Sequence, residues 1–158
     1  MKGETFKQYF LNKEAHLYDK KKNIKGSIFL DYRNNLDSLS KNNIIYGHGM
    51  YDNTMFGSLD NLLTNNWLKN HNNYYIKLYT PNKLLVFKIF SAYTIEKEGY
   101  YIKTYFSNRE VYKKFLKTIE KRSIYDFGVN IKTSDKILTL STCKNNFGKR
   151  IVVHAKLI

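Results

Sequence analysis

The chain has 158 residues, about one domain's worth and enough to bury a core without disulfides, and its one cysteine cannot form an intrachain bridge. Lysine and arginine total 27 against 13 aspartate and glutamate, and the net charge of +14 suits attraction to any polyanion: nucleic acid, an anionic lipid surface or a wall polymer. No run approaches the roughly 20 apolar residues of a membrane span and no signal-peptide pattern appears, so neither class is indicated.

In chain order, Thr5 to Tyr18 carries Phe6, Tyr9, Phe10, Leu17 and Tyr18 at mixed spacing and reads as a short helix or turn. Gly26 to Tyr32 reads as a strand leading to a turn at Arg33-Asn34-Asn35, and Asn43 to Gly47 as a second strand with His48 directly after it. Across Thr54 to Lys69, Met55, Leu59, Leu62, Leu63 and Trp67 fall near the 3.6 period, which predicts an amphipathic helix capped by Asp52 or Asn53. Tyr74 to Tyr79 and Leu84 to Thr94 form a hairpin around Thr80-Pro81-Asn82-Lys83, the proline sitting where its missing N–H is harmless.

Ser107-Asn108-Arg109-Glu110 has the spacing of a capping box, and Val111, Phe115 and Ile119 follow it at i, i+4 and i+8, predicting a helix from about Asn108 to Lys121. Phe127 to Thr133, Ile137 to Thr142 and Arg150 to Ile158 are three further candidate strands. No internal repeat or low-complexity linker interrupts the chain. The sum is one β-rich domain over residues 1–158 with two or three helices, most economically a mixed barrel.

Two of those strands carry chemistry. Ile137-Leu138-Thr139-Leu140-Ser141-Thr142-Cys143 ends on the thiol, and after the polar loop Lys144-Asn145-Asn146-Phe147-Gly148-Lys149 the next strand opens on Arg150. A lone cysteine is more often a small buried hydrophobe than a nucleophile. Cationic neighbours, however, lower a thiol pKa from about 8.5 and favour the reactive thiolate. The spread lysines do not form a nucleic-acid-binding arm, and Lys20-Lys21-Lys22 reads as a solvated loop.

Four runs then add specificity: Ile44-Ile45-Tyr46-Gly47-His48, Asp52-Asn53-Thr54-Met55-Phe56, Phe90-Ser91-Ala92-Tyr93, and Thr139 to Cys143 closing on Lys149-Arg150-Ile151-Val152-Val153. In that order, over nearly the whole chain, they resemble the class B sortases, cysteine transpeptidases of Gram-positive bacteria built on a β-barrel. The resemblance implies Cys143 as nucleophile, His48 as general acid and base, and Arg150 as the group holding the substrate carbonyl. It implies a groove lined by Tyr46, Tyr101, Ile102, Thr104, Ser141 and Thr142, with the helix over 107–122 inserted between two late strands beside it. No cofactor and no metal are implied.

The implied substrates are surface proteins bearing a sorting signal of the form Asn-Pro-x-Thr followed by Gly or Asn, cut after Thr. The implied acceptor is an amine of a peptidoglycan precursor, or a pilin lysine in a polymerising member. The implied location is the outer face of the membrane and the cell wall, with no nucleic-acid partner and with membrane contact only through an N-terminal anchor. A non-catalytic basic module binding an anionic polymer is the alternative. Reference values of about 8.5 for a thiol and about 6.5 for an imidazole make the neutral pair dominant at neutral pH, so a reactive thiolate and imidazolium pair is a minor form and turnover is slow. The other histidines, His16, His71 and His154, read as surface or strand residues.

The chain departs from the family pattern in three respects. It opens at Met1-Lys2-Gly3-Glu4-Thr5 at a point well inside the family domain, so the anchor, the N-terminal helices and the first two strands are expected to have no counterpart. The loop between Cys143 and Arg150 is shorter than in some class B members. An acidic residue near the cysteine in some members is Asn145 here, and no Cys-His-Asp arrangement is expected.

Overall fold

Six strands dominate the computed structural model, which describes residues 28–48, 59, 62, 64–96, 98–144 and 149–158, with His48, Cys143 and Lys144 described by their backbone alone. The strands are β1 (Phe29–Leu30), β2 (Asn42–His48), β3 (Tyr75–Tyr79), β4 (Leu84–Glu96), β5 (Ile137–Lys144) and β6 (Lys149–Leu157). Helix α1 spans Asn65–Lys69 and α2 spans Arg109–Lys121, with 3-10 turns at His71–Tyr74 and Tyr100–Ile102. The strands make one mixed sheet in the order β1-β2-β5-β6-β4-β3. The fold is therefore mainly β and barrel-like, as expected, and α2 enters the chain between β4 and β5.

Within the sheet β2 and β5 run parallel, while every other neighbouring pair is antiparallel. Leu138, Leu140, Ile151, Val153 and Ala155 alternate along β5 and β6 into the larger core, where Ile45, Ile76, Leu78, Phe87, Trp67 and Tyr74 meet them. The intervening positions Thr139, Ser141, Val152 and His154 are also buried. Burial on both faces explains why β5 and β6 are so rich in β-branched residues. Helix α2 packs Tyr112, Phe115, Leu116 and Ile119 around Phe90 and Ile137. The β4/β6 register shifts between Ile89 and Ser91, and there Ser91 Oγ donates to the Ile119 carbonyl at 2.6 Å, tying helix to strand.

Several expectations change on contact with the structure. The strand expected from Gly26 is two residues long within the described part, because Asp31 accepts the Arg33 backbone N–H at 3.0 Å and turns the chain. His48 is the last residue of β2 instead of following it. Of the helix expected over Thr54 to Lys69, the described part has Leu59 and Leu62 in 3-10 conformation and is α-helical from Asn65: Thr64 is extended, and its hydroxyl accepts the Trp67 N–H as a cap. Leu59, Leu62 and Trp67 are nonetheless buried.

The hairpin closes with Tyr79 opposite Leu84, and the Thr80 N–H donates to the Lys83 carbonyl at 2.9 Å. Helix α2 is capped by Asn108, whose side chain accepts the Val111 N–H, and not by Ser107. Phe127 to Thr133 forms no strand. Asp126 Oδ1 accepts the Gly128 N–H, Gly128 turns at φ 66, and Val129 and Ile131 pack against the α2 cluster, so the alternation there reflects packing on a helix. The segment expected over Thr5 to Tyr18 lies outside the described residues. Among the described residues, no helix is long and apolar enough to cross a membrane.

Candidate active site

The parallel pairing of β2 with β5 sets His48 opposite Cys143, and the antiparallel pairing of β5 with β6 sets Cys143 opposite Arg150. The three therefore lie in one row across three adjacent strands. With neighbouring strands about 4.8 Å apart, the outer two backbones are about 10 Å from each other with the cysteine between them. His48 and Cys143 occupy the next alternate positions after Tyr46 and Ser141, which pair with each other in the same sheet.

Arg150 is half-buried, and its Nη1 donates to the Tyr101 hydroxyl at 3.0 Å. That oxygen also shares a hydrogen bond with Ser141 Oγ at 2.8 Å. Tyr101 is fully buried and packs with Tyr93 and Val152, so a rigid phenol fixes the guanidinium from below. Ser141 and Thr142 are buried strand residues, while Tyr46, Ile102 and Thr104 are half-buried.

The turn carrying Tyr101 is held by three consecutive carbonyls. Asn42 Nδ2 donates to the carbonyls of Tyr101 and Lys103 at 3.0 and 2.8 Å, and Arg33 Nη2 donates to that of Ile102 at 2.8 Å. Asn42 Oδ1 accepts from Thr139 Oγ1 at 2.6 Å, and Thr139 Oγ1 meets His154 Nδ1 at 2.8 Å. His154 Nε2 meets the Tyr93 hydroxyl at 2.8 Å. Because Thr139 spends its proton on Asn42, it accepts from His154 Nδ1–H, which leaves Nε2 to accept from Tyr93. The whole chain is satisfied by a neutral imidazole.

Burial drives the His154 pKa down to about 3, with the Arg122 charge adding to the effect. Beside the turn, Arg33 grips Asp31 through Nε and Nη2 at 2.9 Å each, and Tyr46 donates to Asp31 Oδ2 at 2.9 Å. The bonds from Arg33 hold the Asp31 carboxyl below its usual range, while burial and the neighbouring carboxylate push the Tyr46 phenol up.

Reading the sequence missed Asp31, Arg33, Asn42, Thr139 and His154 as parts of this framework. The one local signal was the Asp31-Tyr32-Arg33 turn, in which a carboxylate and a guanidinium two residues apart can pair. His154 is a strand residue, as read, though wholly buried, and His71 is exposed and stacks on Tyr74. His16 lies outside the described residues. Among the described residues no group of three His, Cys, Asp or Glu is placed to hold a metal ion.

A row of histidine, cysteine and arginine positions at a sheet rim has the components for acyl transfer: a thiol, a proton carrier and a cation for a developing oxyanion. A family model described as the Sortase domain matches residues 7–158. Sortase B of Staphylococcus aureus (strain NCTC 8325 / PS 47) is 37% identical over 161 residues, covering 100% of this chain and 64% of the relative. The solved structure of Clostridium perfringens sortase B aligns with a TM-score of 0.80 at 39% identity, over 95% of this chain and 81% of that one. A Staphylococcus aureus sortase B–substrate complex aligns with a TM-score of 0.76 at 39% identity, over 85% of this chain and 62% of that one. The chain thus spans a little under two thirds of the staphylococcal relative's length.

Proposed function

The chain belongs to the sortase family, and from that membership we propose that it acts as a class B cysteine transpeptidase with Cys143, His48 and Arg150 as its catalytic residues. The observation that carries the reading is the single row these positions share across β2, β5 and β6. The substrate is a surface protein ending in an Asn-Pro-x-Thr-(Gly/Asn) signal, and the acceptor is an amine of a peptidoglycan precursor at the Gram-positive cell surface. The staphylococcal sortase B solved in complex with its substrate supports a substrate-binding role for this fold.

In this mechanism the Cys143 thiolate adds to the Thr carbonyl carbon, and the carbonyl electron pair moves onto oxygen. Arg150, whose Nη1 also donates to the Tyr101 hydroxyl, donates to that oxygen. Collapse breaks the C–N bond, and the His48 imidazolium gives its proton to the leaving amine. A thioacyl enzyme and a neutral imidazole remain. The acceptor amine then adds to the thioester, His48 takes the amine's proton, and the second collapse releases the new amide and restores the thiolate.

Tyr101 and Ser141 are buried, and in this reading they serve the site by holding Arg150, whereas the half-buried Tyr46, Ile102 and Thr104 and the adjoining Thr142 border the peptide. Incubation with an Asn-Pro-x-Thr-Gly or Asn-Pro-x-Thr-Asn peptide, followed by mass spectrometry, should reveal a thioacyl adduct on Cys143. Cys143→Ala should abolish both adduct and cleavage while the fold persists. Unaltered cleavage by that variant would end the reading.

A further inference from the structure

Away from the row of His48, Cys143 and Arg150, helix α2 and the segment that follows it enclose a groove of about 660 Å³. Arg109, Lys113 and Lys117 line one wall from successive turns of the helix, and Lys132 lines the other. All four are exposed. Glu120, at the far end, is the one carboxylate among the lining residues. Like charges four residues apart on a helix repel, and no carboxylate among the described residues lies within ion-pair reach of these four cations.

The groove is built before any ligand arrives. Arg109 Nε donates to Thr133 Oγ1 at 2.9 Å, Tyr112 donates to the Asp135 carbonyl at 2.8 Å, and the Lys132 N–H donates to Asp135 Oδ2 at 2.7 Å. These bonds hold the far wall against the helix, and Leu116 and Ile131 contribute apolar surface between the charges. Residues four apart on a helix rise about 6 Å, so the wall presents a ladder of cations at a nearly constant step. That step is of the order of the distance between successive phosphates in an extended phosphodiester chain. The concave shape suits a strand more than a planar membrane, and no aromatic side chain lines it on which a base could stack.

We infer that the groove between α2 and residues 131–134 binds a linear, base-free polymer of polyol phosphate, one phosphate to each cation. The inference stands apart from the peptide chemistry: it uses none of the proposed catalytic residues and does not need them to act.

Polarisation titration of the whole chain with a labelled glycerol-phosphate oligomer, at several salt concentrations, tests it. The logarithm of the affinity should fall with the logarithm of salt by about 0.7 per phosphate contacted, a slope between roughly −2 and −3 for three or four contacts. The double variant K113Q/K117Q should bind at least about tenfold more weakly with a shallower slope. K69Q/K77Q removes two exposed charges elsewhere and should change affinity by less than about threefold. Equal losses in the two double variants would show that net charge alone attracts the polymer and would overturn the groove, as would absence of binding. Tighter binding of oligothymidylate or of phosphatidylglycerol vesicles, dependent on Lys113 and Lys117, would also overturn it, since the occupant would then be a nucleic acid or a membrane. Because the readout is binding, failure of peptide cleavage leaves this result untouched.

Discussion

Replacing Tyr101 by Phe deletes the one oxygen that both Arg150 Nη1 and Ser141 Oγ reach, and leaves the ring in place. A buried hydroxyl left without its partner costs about 1–3 kcal/mol, so Y101F should unfold at lower urea than the parent and should also lose cleavage several-fold as the guanidinium loosens. Arg150→Lys keeps the charge but loses the planar fork, and kcat/KM for the sorting-signal peptide should fall at least about tenfold, or about 1.4 kcal/mol. Equal activity in the lysine variant would mean that charge alone suffices. Cys143 and Arg150 were visible in the sequence because one short loop separates them. Asn42 was not: its partners Tyr101 and Thr139 lie 59 and 97 residues away, and nothing local distinguishes it from the other asparagines of the chain.

At the scale of single elements, α2 starts with Asn108 as its cap in place of the Ser107 capping box that the spacing suggested. Asn108→Ala should destabilise the protein by about 1 kcal/mol, since it removes the acceptor of the Val111 N–H, whereas Ser107→Ala should stay within about 0.5 kcal/mol; chemical denaturation distinguishes them. The helix itself and the β3/β4 hairpin were legible because each is dictated by residues close in sequence: a 3.6-residue apolar period in one, a four-residue turn in the other. The Phe127 to Thr133 segment was misread because alternation records which side chains face an apolar neighbour, and here Tyr74 supplies that neighbour to Phe127 and the α2 cluster to Val129 and Ile131, without any ladder. Thr64 was missed as a helix start because its capping role depends on a backbone already extended there.

Across the whole molecule, the bonded run from Tyr93 through His154, Thr139 and Asn42 makes stability depend on pH in a particular window. His154 stays neutral in the folded protein down to about pH 3, while in the unfolded chain a histidine protonates near 6.5. Stability from this group is therefore complete above about pH 6.5 and is lost as pH falls towards 3, at roughly 1 kcal/mol per pH unit. Asp31, whose pKa is also lowered on folding, adds its loss only in the carboxylate range and below. Urea melts between pH 7 and 4.5 should show the histidine slope, and H154Q should be weaker at neutral pH yet nearly flat across that interval. The parallel β2/β5 pair has a different consequence, one of timing. Asn43 Nδ2 reaches the Ile137 carbonyl 94 residues further on, and closing so long a loop costs about 4 kcal/mol of chain entropy before any ladder bond repays it. The β3/β4 hairpin can form early, but the row of His48, Cys143 and Arg150 exists only once that distant closure is made, so a refolding chain acquires its local native shape first and the row proposed as its active site last.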